Sequence, residues 1–134
     1  MDENGLVTVR SPYTAMETLR RLEAAVKLKG MTVFAHIDHA AAAAETGLAL
    51  RATDLLIFGS PKGGTPLMEA AQTIGIDLPL KALLWQDSEG TTWISYNDPA
   101  WLARRHGLPS ALQPQVEAMA GALAHIAQQT TASS

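Results

Sequence analysis

Apolar and polar positions change period along this chain and so mark out its elements. Residues 6–9 alternate apolar and polar, the two-residue period of a strand. Ala15, Leu19, Leu22 and Val26 then recur at helical spacing, with Arg20, Glu23 and Lys27 on the other side. Ser11-Pro12 is the predicted helix start, because serine caps and proline suits the first position. Thr14 with Glu17 offers a second cap in capping-box spacing, and Gly30 is the predicted stop. Residues 31–37 read as a second strand, with Val33, Ala35 and Ile37 on one face and Phe34 and His36 on the other. Asp38 is placed to cap a short alanine-rich helix beginning near His39, which Gly47 ends. Residues 55–59 are apolar on both faces, which predicts a third strand placed centrally in a sheet.

Thr65-Pro66 predicts the next helix, with Leu67, Met68, Ala71 and Ile74 as its buried stripe and Gly75 as its stop. Pro79 holds Leu78 out of the helical region, so residues 76–80 are an extended link. Residues 81–86 and 92–96 flank Asp87-Ser88-Glu89-Gly90, a hairpin. Its pattern puts Leu83 with Trp85 on one face, and Trp93 with Ser95 opposite Ile94 and Tyr96. Asp98-Pro99 starts a short helix that Gly107 ends. The last helix begins at Ser110 or Gln113 and carries Leu112, Val116, Met119, Leu123 and Ile126 on one face. Residues 128–134 are small and polar, a tail expected to fray. The order β-α-β-α-β-α-β-β-α-α predicts a single α+β domain over residues 1–134, with a layer of helices on a largely antiparallel sheet.

Composition narrows the function classes. A chain of 134 residues is long enough to bury a core without staples. No apolar run reaches the roughly 18 residues of a membrane span. The N-terminus opens with two acids and lacks the order of a signal peptide, so the cytoplasm is the expected compartment. The absence of cysteine excludes disulfides and thiolate chemistry. A net charge of −3 with scattered cations argues against nucleic acid as a partner.

Several stretches resemble one family. They are IDHAAAA at 37–43, GLALR at 47–51, LLIFGSPKGGTPLM at 55–68, IDLPLK at 76–81 and SYNDPAWLARRHGL at 95–108. Taken in this order, they are similar to the domain of unknown function 302 family over nearly the whole chain. Ala52 and Ser60 depart from the proline and asparagine common there. The resemblance implies a two-layer α+β sandwich similar to the TATA-box-binding-protein fold, usually found as a homodimer. That fold label carries no DNA function with it, and the family supplies no catalytic residues.

The candidate chemistry sits at strand ends. His36, Asp38 and His39 are residue types that bind divalent metals, and His106 adds a fourth possible ligand. The competing reading makes Asp38 a cap and the histidines structural hydrogen-bonders. A histidine can also hold haem iron, with the alanine run, Leu48, Met68 and Trp93 around it. The turn at residues 59–65 resembles an anion cradle, with free N–H groups at a helix start beside Lys62. It lacks the Gly-Lys-Ser/Thr of a phosphate-binding loop. Tyr96 and Asp98 are acid–base candidates beside the histidines. The leading expectation is a homodimer that binds a small ligand, whether anion, metal or haem, near His36, His39, Lys62, Thr65, Tyr96 and Asp98. An enzyme acting on a small anionic substrate, and an accessory interaction subunit, are the alternatives.

Overall fold

The structure is a computed structural model that describes residues 4–133; the acidic N-terminal residues 1–3 and Ser134 lie outside the described residues. Its sheet has the order β1-β5-β4-β3-β2, with every neighbouring pair antiparallel. The strands are β1 (Leu6–Ser11), β2 (Thr32–Asp38), β3 (Thr53–Gly59), β4 (Leu80–Gln86) and β5 (Thr92–Asn97). The helices are α1 (Ala15–Leu28), α2 (His39–Glu45), α3 (Pro61–Ala70), α4 (Pro99–Arg105) and α5 (Gln113–Thr131). The result is the α+β sandwich that the sequence pattern predicts.

One face of the sheet is the core face. Leu56, Phe58, Ala82, Ile94 and Tyr96 pack there against Leu22 and Val26 of α1 and Leu123 and Ile126 of α5. Leu56 and Phe58 are fully buried, and each such side chain contributes roughly 1.5–3 kcal/mol. Leu55 and Ile57, one residue out of phase on β3, are only half-buried. The strand lies between β2 and β4, and β4 holds the middle of the sheet. On that second face Trp85 and Trp93, paired across the hairpin, stack with centroids 6.1 Å apart. Trp85 donates to Ser95 Oγ at 2.9 Å.

Three helices are bounded differently from the sequence reading. Helix α1 begins at Ala15, because Thr14 rather than Ser11 caps it, accepting from the Glu17 N–H. Ser11 instead ends β1 and bonds Thr18 Oγ1 at 2.7 Å inside the core. Helix α3 begins at Pro61, four residues before the predicted Thr65, so Pro66 lies inside it. It stops at Ala70, and a 3-10 helix (Gln72–Asp77) follows. Helix α5 continues to Thr131 through residues expected to fray. Arg21 explains this: its guanidinium donates to the carbonyls of Thr130 and Ala132, both at 2.9 Å.

Candidate functional site

The first turn of α3 follows directly from β3. Ser60 is its N-cap position, yet its side chain makes no capping bond. Pro61 fits the first helical position because it lacks the N–H that would be orphaned there. The Gly63 and Gly64 N–H groups, expected to face an anion, both donate to the Ser60 carbonyl, at 3.0 and 3.2 Å. They are spent on the turn itself. Lys62 and Thr65 are exposed on this turn.

A cavity of about 480 Å³ opens against this turn. Ser60, Pro61, Gly63, Gly64, Thr65 and Met68 form one wall. Met31 and Phe34 from the start of β2, and Leu78 to Leu80 before β4, form the second. Gln115, Ala118, Met119 and Ala122 of α5 form the third. Of its lining side chains only those of Ser60, Thr65 and Gln115 are polar. Of the candidate residues read from the sequence, Thr65 and Met68 line it, while His36, His39, Lys62, Tyr96, Asp98 and His106 stand outside its lining. The α5 wall lies outside the candidate set, although Gln115, Ala118, Met119 and Ala122 follow the i, i+3, i+4, i+7 spacing of a helix face. Its alanines are the legible signal: small side chains beside a bulky stripe leave room.

The other candidates have separate partners. His36 Nε2 is 2.8 Å from Asp54 Oδ1, on the edge strand and facing the same side as Leu56. Asp38 accepts from the Ala41 N–H at 2.8 Å and so caps α2. His39 is exposed at the start of that helix. His106 sits between Thr73 Oγ1, 2.9 Å from its Nδ1, and Asp77 Oδ2, 2.6 Å from its Nε2. Arg105 also holds Asp77, at 3.0 and 3.1 Å. This clasp ties α4 to the 3-10 helix. The structure therefore gives His36, Asp38 and His106 separate hydrogen-bond partners and leaves His39 exposed at the start of α2. Among the described residues, no three His, Asp or Glu side chains are grouped to hold a metal ion.

Tyr96 lies in the core, where burial first, and the Asp98 charge second, push its hydroxyl above its ordinary pKa. Asp98 is buried and caps α4, accepting from the Ala100 N–H at 3.1 Å. Its Oδ2 is buried without a hydrogen bond among the described residues.

The family model for the domain of unknown function DUF302 matches residues 7–126. The chain belongs to the DUF302 family. A DUF302 protein from Bacillus stearothermophilus, solved by crystallography, superposes with a TM-score of 0.84 at 24% identity. The match covers 94% of this chain and 98% of that one, and it shows the shared fold. Among curated proteins, the chain is 49% identical over 117 residues to the fluoride-specific ion channel FluC 1 of Brucella suis biovar 1 (strain 1330). That match covers 87% of this chain and 46% of the channel protein. The fluoride-specific ion channel FluC 2 of Brucella melitensis biotype 1 (strain ATCC 23456 / CCUG 17765 / NCTC 10094 / 16M) is equally similar, with 43% of its length covered. The chain thus spans about half the length of the curated relatives it matches. Among the described residues of this chain, no helix is long and apolar enough to cross a membrane.

Proposed function

We propose that this DUF302 chain binds a small, largely apolar molecule with one polar end in the cavity between α3, α5 and the start of β2. The cavity carries the reading. Its volume of about 480 Å³ lies within the roughly 300–1,000 Å³ of small-molecule sites, and an apolar wall with a few polar groups is their usual makeup. The polar end faces Ser60, Thr65 and Gln115, with Lys62 on the same turn favouring negative charge. This keeps the Lys62 strand end of the expected site and leaves the His36/His39 end outside it. Binding rather than turnover is the reading, because the lining offers no base beside the Ser60 or Thr65 hydroxyl.

The probe is 1-anilinonaphthalene-8-sulfonate, a compact apolar anion whose fluorescence rises out of water. Wild-type protein is expected to bind it saturably, and Ala118→Trp, which fills the α5 wall, to weaken binding at least tenfold. Equal binding by both proteins would refute the site.

The comparisons favour a second reading of the protein's setting. Relatives nearly half identical to this chain are named fluoride-specific ion channels and are about twice as long. We propose that the matched part of those proteins lies outside any helical membrane span, and that this chain is a cytoplasmic accessory domain serving such a channel. Fluoride efflux from vesicles holding the Brucella channel protein, with and without its matched segment, tests this. A changed rate or gating response supports it, and identical efflux refutes it.

A further inference from the structure

The cavity leaves one chemical cluster unused. Thr73, Asp77, Arg105 and His106 stand outside its lining, where the 3-10 helix meets the end of α4. Thr73 Oγ1 is 2.9 Å from His106 Nδ1, and Asp77 Oδ2 is 2.6 Å from His106 Nε2. The imidazole and the carboxylate are nearly enclosed, their side chains 7% and 13% exposed. Thr73, by contrast, is exposed. Arg105 Nη1 holds both carboxylate oxygens, at 3.1 and 3.0 Å. That ion pair by itself ties α4 to the 3-10 helix. The tie does not require an imidazole between the carboxylate and a surface hydroxyl. Hydroxyl, imidazole and carboxylate in hydrogen-bonded series are the parts of an activated nucleophile, which is recognised by geometry rather than by position in the chain.

We infer that Thr73 is the nucleophile of an acyl-transfer site, with His106 as its base, and that the acyl donor is a small activated ester. A carboxylate only accepts, so Asp77 fixes the ring proton on Nε2 and leaves the Nδ1 lone pair facing the Thr73 hydroxyl. The two ring nitrogens exchange the roles they have in a serine protease, and either can serve once the other holds the proton. As Oγ1 bonds to the acyl carbon, its proton passes to Nδ1 and the carbonyl electron pair moves onto the carbonyl oxygen. When that pair returns, the bond to the leaving oxygen breaks, and the imidazolium gives its proton to that oxygen. The acyl group stays on Thr73 as an alkyl ester. Asp77 is a positioning residue that steadies the imidazolium between the two steps, and Arg105 fixes Asp77 in turn. The open position of Thr73 suits a short ester that needs no deep pocket. The site is separate from the cavity, and the inference stands without the ligand reading.

The probe is p-nitrophenyl acetate. Absorbance follows the release of p-nitrophenol, and peptide mass mapping locates the acetyl group. Wild type is expected to release a burst of about one p-nitrophenol per chain. The acetyl group is expected on Thr73, where it accumulates because an alkyl ester is less reactive than the aryl ester that formed it. Thr73→Val should lose the burst, and Thr73→Ser should keep it. His106→Gln should slow acetylation of Thr73 about a hundredfold with circular dichroism unchanged. Asp77→Asn should slow it as well and change its pH profile, which a merely structural carboxylate would leave in place. Thr73 acetylation that is no slower in His106→Gln overturns the inference. So does a wild-type protein acetylated on its lysines with Thr73 unmodified, a result that depends on no variant folding.

Discussion

Gly63 is the most informative position to change. It occupies the third residue of α3, has an ordinary helical backbone, and a Cβ built there meets nothing within 4 Å. In a helix, glycine is worth about 0.8–1.0 kcal/mol less than alanine. The first turn realises part of that, so Gly63→Ala should stabilise the chain by roughly 0.5–1 kcal/mol. For a domain of this size that is a rise in Tm of about 2–5 °C. Urea denaturation is the cleaner assay, since the midpoint should rise while the slope stays constant. Gly63 lines the cavity and a Cβ there meets open space, so a larger side chain is expected to have the opposite effect on binding. Gly63→Leu should keep the fold and weaken binding of the anilinonaphthalene probe severalfold. Glycine would then be retained at a stability cost because ligand needs the room. A Gly63→Ala protein less stable than wild type would refute the helical geometry. A Gly63→Leu protein that binds the probe normally would refute the role of the space.

Thr14→Ala and Asp38→Ala each remove a helix cap and should cost about 1 kcal/mol, read by urea denaturation; an unchanged midpoint would contradict the capping bonds. Phe58→Ala should cost about 3–5 kcal/mol, because its side chain is fully enclosed between sheet, α1 and α5. A loss under about 1 kcal/mol would place it outside the core. Asp87 gives a pH prediction. The Trp93 indole N–H, with the backbone N–H groups of Thr91 and Glu89 and the Arg51 charge, holds its carboxyl below the usual range. A folded pKa below the unfolded one stabilises above the ordinary carboxylate pKa, and that stability is lost as pH falls through the folded value. Asp87→Asn should therefore flatten part of the acid limb of the stability profile. An unchanged limb would contradict the ionised hairpin.

Local rules account for most of the fold. The sequence pattern locates all five strands, although the β-bulge between Val33 and Ala35 puts Val33 on the face of His36 rather than with Ala35 and Ile37; Gly30, Gly47 and Gly107 stop helices with positive φ, as their positions predict. Asp38 and Asp98 cap α2 and α4. The two displaced helix starts share one cause. Ser11-Pro12 and Thr65-Pro66 both read as cap-then-proline, but tertiary structure uses them otherwise. Ser11 is drawn into the core by Thr18, and at α3 the chain turns immediately after Gly59, so Pro61 takes the first position. The candidate site is legible in the sequence chiefly at its turn, with Met68 and the alanines of α5 as weaker signs. Residues 59–65 stand out as one wall because glycine, proline and lysine cluster there. Met31, Leu78 and Met119 read as ordinary core residues, and nothing in their local pattern shows that three separate elements leave a hollow between them. The histidines are legible as chemistry but not as geometry. Asp54 and Asp77, which engage His36 and His106, are respectively 18 and 29 residues away in the chain.

The cavity can be watched through its methionines. Met31, Met68 and Met119 line it, whereas Met16 is 83% exposed on α1 and stands outside it. Carbon-13 labelling of the methionine methyl groups gives each a resolved signal, and the probe can be titrated against all of them at once. The Met31, Met68 and Met119 signals should shift together along one saturation curve while Met16 stays in place. Saturable binding that leaves those three signals unmoved, or that moves Met16 alone, would contradict a ligand site in this cavity.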